Sequence, residues 1–135
     1  RGGKITLHNP GQKIIYFVID LNKRKKDVRL FIQIIEQSII ELLKKYKIDS
    51  HSDRKNIGIW VKNKKISAIG IRIKNWVAYH GCSININNNM SFYKKIVPCG
   101  LNNEMITSFS FLGIKKVKNL NENIKKIFLK NLSKI

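Results

Sequence analysis

A change of hydrophobic period near residue 27 constrains this chain more than any other feature in it. Upstream, Ile14-Ile15-Tyr16-Phe17-Val18-Ile19 is a continuous β-branched and aromatic run, which predicts a buried strand. From about Asp27 to Lys47 the apolar residues Val28, Phe31, Ile32, Ile35, Ile39, Leu42, Leu43 and Tyr46 recur at steps of three and four. That spacing is one face of an amphipathic helix. Arg29, Gln33, Glu36, Gln37, Glu41 and Lys45 fall on the other face, and Glu41 precedes Lys45 in the favoured i,i+4 order. The helix is expected to pack on a sheet and to do no chemistry. The fold class is therefore α/β in the α+β sense: a mixed sheet backed by helices.

The remaining segments supply the sheet. Lys4-Ile5-Thr6-Leu7-His8 alternates and predicts a short strand. Asn9-Pro10-Gly11 is a turn, because proline fixes its own φ and glycine accepts a positive one. Asp20 to Lys26 is a charged connection, and Ser50 to Asn56 a polar loop. Ile57 to Val61 predicts a strand, Lys62-Asn63-Lys64 a hairpin turn, and Lys65 to Arg72 the returning strand. Alternation puts Lys65, Ser67, Ile69 and Ile71 on one face, and Ile66, Ala68, Gly70 and Arg72 on the other. Trp76 to Asn87 reads as a further strand interrupted at His80-Gly81, and Thr107-Ser108-Phe109 as a short one. Asn121 is placed to cap a last helix running to about Lys130, with Ile124, Ile127 and Phe128 inward.

The 135 residues suit one domain, expected to span 1–135, and 43% hydrophobic content excludes a disordered tail. The chain begins at Arg1 rather than methionine, which reads as a fragment of a longer protein. No secretory signal is visible, and no apolar run approaches the ~20 residues of a membrane span, so a cytoplasmic location away from membranes is expected. The net charge of +19 suggests an anionic partner. Yet only five of the 27 cations are arginine, while isoleucine and asparagine number 24 and 15. That pattern reads as AT-rich codon usage. Arginine is the better bidentate phosphate ligand, so no nucleic acid is expected as partner, although the field can still steer an acidic protein. A lysine-rich nucleic-acid-binding module is the non-enzyme alternative.

Candidates for chemistry are few. Val97-Pro98-Cys99-Gly100 places a thiol on a bent loop, where it can serve as a nucleophile or as a small buried hydrophobe. A nucleophilic thiol needs a base or cation beside it, and Lys65, His8, His80 and the exposed-loop His51 are the choices. Ser67, Ala68 and Gly70 are small enough to admit a ligand or another backbone. The two cysteines make no disulfide framework, although a Cys82–Cys99 bridge is an alternative. No carboxylate pair, metal-ligand spacing or Gly-rich phosphate loop is present, so neither a metal nor a cofactor is expected.

Four segments in order carry a resemblance. Arg1-Gly2-Gly3-x-x-Thr6-x-His8-x-x-Gly11-Gln12-x-Ile14-x-Tyr16 resembles the signature of the protein octanoyltransferases, the lipoate-protein ligase B family. Lys65-Ile66-Ser67-Ala68-Ile69-Gly70 is similar to its lysine strand. His80-Gly81 followed by Asn85 is similar to its His-Gly segment, and Pro98-Cys99-Gly100 followed by Thr107-Ser108 to its nucleophile loop. Leu7 and Asn9 stand where the family usually has an aromatic residue and a glycine; Cys82 and Asn89 replace an apolar residue and an aspartate. Family members also carry a segment ahead of the Arg-Gly-Gly turn.

The resemblance implies a catalytic domain of the biotin/lipoyl protein ligase type. It implies that Cys99 takes an octanoyl group from octanoyl-acyl-carrier-protein as a thioester. The group then passes to a lysine on lipoyl domains of 2-oxoacid dehydrogenase complexes or on the glycine cleavage H protein. Lys65 would lower the Cys99 pKa or act as acid and base. The implied acyl-binding residues are Arg1, Gly2, Gly3, Lys4, Ile5, Thr6, Leu7 and His8, then Ala68, Ile69 and Gly70, then Gly81, Cys82 and Ser83, with His80 in support. Lys65 and Cys99 are expected to converge on one cleft. An ATP-dependent lipoate ligase of the same fold is the enzymatic alternative, and it would not require the cysteine.

Overall fold

A computed structural model describes residues 8–89, 91 and 105–135. Arg1 to Leu7 and the Cys99 loop lie outside the described residues. The strands are β1 (Gln12–Tyr16), β2 (Ile19–Asp20), β3 (His51–Ser52), β4 (Ile59–Val61), β5 (Lys64–Lys74) and β6 (Val77–Asn85). The helices are α1 (Val28–Lys45) and α2 (Leu120–Leu132), and a 3-10 turn covers Leu21–Lys23. The sheet runs β1-β6-β5-β4-β3, with β2 pairing the first part of β6. These pairings are antiparallel, and a parallel bridge joins Lys65 to Ile106.

The helix at residue 27 forms as its period requires. Asp27 caps it, its carboxylate accepting from the Leu30 N–H at 2.9 Å. Phe31, Ile35, Ile39, Leu42 and Leu43 are buried against Ile59, Ile66, Ile84 and Phe109. The opposite face is not simply solvated, because α2 lies along it. Glu41 pairs with Lys130, and Asn131 donates to both Ser38 Oγ (3.2 Å) and Glu41 Oε2 (3.1 Å).

Several expectations change in detail. The 14–19 run divides into β1 and β2 around Phe17 and Val18; the Phe17 ring meets Phe31 edge-on at 5.7 Å. His51 and Ser52 of the polar loop form the short edge strand β3. The strand at 76–87 begins one residue later and is not broken at His80-Gly81. Pairing to β5 continues through both residues, while His80 takes a φ of 73°. Thr107 to Phe109 is not a strand, since only Ile106 bridges. Asn121 is not the cap of α2: Asn119 occupies that position in the left-handed region without a side-chain bond. The start of α2 is held instead by Tyr46, which donates to the Lys118 carbonyl at 2.7 Å and accepts from Asn123.

The alternation on β5 also shifts. Ile59 pairs with Ser67, whereas Trp60 pairs with Lys65, so Ile66 is an extra residue, a β-bulge. Ile66 therefore joins Ile69, Ile71 and Ile73 against the core instead of facing away from them. Lys65 is separated from Ile69 by the same displacement and faces the side away from α1.

Candidate active site

The bulge determines where Lys65 points. Its cross-strand partner is Trp60, and the ammonium lies 4.9 Å from the centre of that indole. It also donates to the Ile57 carbonyl at 3.0 Å. Gly58 makes room for the aliphatic stem: a Cβ there would stand 2.9 Å from Lys65 Cε. An aromatic face and a carbonyl oxygen are both partners that favour an ammonium. Gly58 and Trp60 were not among the residues singled out from the sequence; the small residue two before an aromatic in Ile57-Gly58-Ile59-Trp60 was the available signal.

Residues paired across antiparallel strands share a face, and so do residues two apart. Ala68 opposes Ser83 and Gly70 opposes Gly81, so these four lie together on the face that bears Lys65. On β1, Ile14 opposes Ser83 and Tyr16 opposes Gly81, extending that face to the sheet edge. Ile69 and Cys82 oppose each other on the other face, towards the core. Cys82 is a free, buried thiol whose pKa burial pushes up to about 12, which makes it inert rather than a thiolate. Gly81 has its own structural reason: a Cβ there would meet the Ile15 carbonyl oxygen at 1.8 Å. The His80 ring packs on Tyr79, centroids 4.8 Å apart.

His8 is exposed and hydrogen-bonds through Nδ1 with Gln12 Oε1 at 2.8 Å. Gln12 Nε2 donates to Asn85 Oδ1 at 2.8 Å, and Asn85 Nδ2 donates to the Thr107 carbonyl at 3.0 Å. Three of the four motif segments are thus joined by side chains. The fourth meets them through the backbone: Ile106 bridges Lys65, and the Thr107 N–H donates to the Lys65 carbonyl at 3.0 Å. Ile106 is seven positions beyond Cys99 in the chain. Two positions that depart from the family pattern also meet, Asn9 Nδ2 donating to the Asn89 carbonyl at 2.8 Å. Arg1, Gly2, Gly3, Lys4, Ile5, Thr6, Leu7 and Cys99 lie outside the described residues. Among the described residues no group of three or more His, Cys, Asp or Glu could hold a metal ion, and no helix is long and apolar enough to cross a membrane.

Known proteins resemble the chain in both sequence and fold. An octanoyltransferase of Bartonella tribocorum is 43% identical over 126 residues, covering 84% of this chain and 51% of the relative. Octanoyltransferases of two Wolbachia strains, from Culex pipiens and wMel, are 47% and 44% identical, covering 85% and 96% of this chain and 58% and 66% of the relatives. The chain spans about half to two thirds of the length of these curated relatives. Among solved structures, the biotin protein ligase of Aquifex aeolicus superposes with a TM-score of 0.70 at 17% identity, covering 92% of this chain and 54% of that one. A lipoate-protein ligase A bound with ATP superposes with a TM-score of 0.60 at 10% identity, covering 88% and 49%. These two share the fold of the sheet and its helices. The profile of the lipoyl protein ligase A/B catalytic domain matches residues 1–132, and the chain belongs to that family.

Proposed function

We propose that the chain is the catalytic domain, over residues 1–135, of a cytoplasmic octanoyltransferase that works through a cysteine thioester. The Cys99 thiolate attacks the thioester carbonyl of octanoyl-acyl-carrier-protein. The carrier's thiol leaves, and the octanoyl group remains on Cys99. The ε-amine of a lysine on a lipoyl domain, of a 2-oxoacid dehydrogenase complex or the glycine cleavage H protein, then attacks that carbonyl. An amide forms, Cys99 leaves as thiolate, and the amine loses a proton. Exchange of one thioester for another is nearly balanced and amide formation runs downhill, so neither ATP nor a cofactor is required.

Lys65 is the cation that favours the Cys99 thiolate. The observation that supports this assignment best is the Lys65–Ile106 bridge, because Ile106 is only seven positions beyond Cys99 in the chain. The contacts of Lys65 with Trp60 and the Ile57 carbonyl support the ammonium role over that of a base. The acyl chain lies along the face bearing Ala68, Gly70, Gly81 and Ser83, with Arg1 to His8 as further acyl-binding residues and His80 in support. Ile69 and Cys82 act from behind, as the packed layer under that face. Identity above 40% to relatives named octanoyltransferase favours this reading over an ATP-dependent lipoate ligase.

The test is incubation with octanoyl-acyl-carrier-protein in the absence of ATP, read by intact mass. One octanoyl group is expected on the protein and none on Cys99→Ala. An adduct of equal yield on Cys99→Ala would refute the assignment.

A further inference from the structure

Thr107 is held on both sides of its peptide. Its N–H donates to the Lys65 carbonyl at 3.0 Å, and its C=O accepts from Asn85 Nδ2 at 3.0 Å. Asn85 is 6% exposed and is itself fixed from several directions. Its Oδ1 accepts from Gln12 Nε2 at 2.8 Å and from Asn88 Nδ2 at 3.2 Å, and its own carbonyl accepts from the Phe109 N–H at 3.1 Å. The Gln12 and Asn88 bonds fix which way the amide is turned, because they require oxygen on that side and so direct the NH2 group at Thr107. β6 ends at Asn85, and Ile106 takes the place beside Lys65 that the next β6 residues would have filled. The Asn85 amide spans this gap and links the end of β6 to Thr107.

We infer that Asn85, oriented by Gln12, is a positioning residue for the transferase: it clamps the strand-like segment after the cysteine loop against the lysine strand. That role presupposes the proposed Cys99 thioester. Loosening the clamp would leave Lys65 in its Trp60 and Ile57 contacts while Ile106 and Thr107 lose their register with it. The loss should therefore fall on the acylation step rather than on donor binding.

The decisive variant is Asn85→Asp. The oxygen that Gln12 and Asn88 address is retained, but an ionised carboxylate has no proton to give Thr107 and repels its carbonyl. When the carboxyl is protonated, its O–H restores the donor. With octanoyl-acyl-carrier-protein as substrate, kcat for acylation of Asn85→Asp at about pH 8 is expected to fall about tenfold or more, with KM little changed. The ratio of variant to wild-type rate should recover as the pH is lowered towards about 5, and the thermal midpoint recorded at each pH separates lost register from lost folded protein. Gln12→Met provides a second variant that leaves β6 intact; a several-fold drop in kcat is expected, with thermal unfolding recorded for both. Rates within twofold of wild type at every pH for Asn85→Asp, or for Gln12→Met where the aspartate variant does not fold, overturn the clamp. The proposed function is tested separately by Cys99→Ala. An octanoyl adduct absent from that variant, together with unaffected clamp variants, removes the positioning role and leaves the thioester; an adduct that persists removes both.

Discussion

The proposed thioester requires the two cysteines of this chain to differ in reactivity, and the difference is measurable. Cys82 is buried opposite Ile69, and desolvation holds its thiol neutral far above physiological pH. Brief treatment of the native protein with iodoacetamide should label Cys99 and spare Cys82, as read by peptide mass; label on Cys82 alone would contradict the assignment. Replacing the ammonium of Lys65 tests the other half of the pair. Lys65→Ala should slow acylation by about 10²–10³-fold and move the alkylation of Cys99 to higher pH, since a neighbouring cation favours thiolate. An unchanged alkylation profile would remove Lys65 from that role.

At the scale of the elements, the sheet depends on places where a backbone comes too close for a side chain. Gly81→Ala would drive a Cβ into the Ile15 carbonyl and should separate β1 from β6, at a cost of about 3 kcal/mol or more in chemical denaturation. Phe31→Ala, which empties a fully buried site against Phe17, should cost ~3–5 kcal/mol by the same measurement. The α1 helix was legible in the sequence because its apolar period is long and Asp27 supplies a cap. The bulge at Ile66 was not, because an extra residue in one strand shows only against its partner. Its consequence, Lys65 facing Trp60 rather than sharing a face with Ile69, was therefore hidden too. The same holds for α2, whose start is fixed by Tyr46 from a distant helix rather than by Asn121 nearby. Four motifs in order were enough to nominate Lys65 and Cys99, yet nothing local indicated that Gln12, Asn85 and Thr107 join three of them. That link exists only once β1, β6 and the 106–110 segment are neighbours.

Over the whole molecule, a net charge of +19 leaves few carboxylates, so those that are paired should leave a visible mark on stability. Glu41 has its pKa lowered, first by its hydrogen bond to Lys130 and then by Asn131 and the nearby lysines, against some desolvation. A carboxyl whose folded pKa lies below the unfolded value, about 4.3, stabilises the fold above that value and loses the contribution as pH falls through the folded pKa. The pair is part-exposed, so the effect is about 0–1 kcal/mol. Urea midpoints of wild type and Glu41→Gln should differ at pH 6 and converge as the pH falls through the lowered folded-state pKa of Glu41; a constant difference would mean that Glu41 acts through packing alone.

The central claim is that one sulfur carries the acyl group between two proteins. It is tested most directly by isolating the octanoylated protein and mixing it rapidly with an unmodified lipoyl domain, following both masses in time. The octanoyl group is expected on the Cys99 peptide, and it should leave that peptide and reach the acceptor lysine at least as fast as steady-state turnover. Product that forms while the adduct persists, or an adduct on any other residue, would contradict the account.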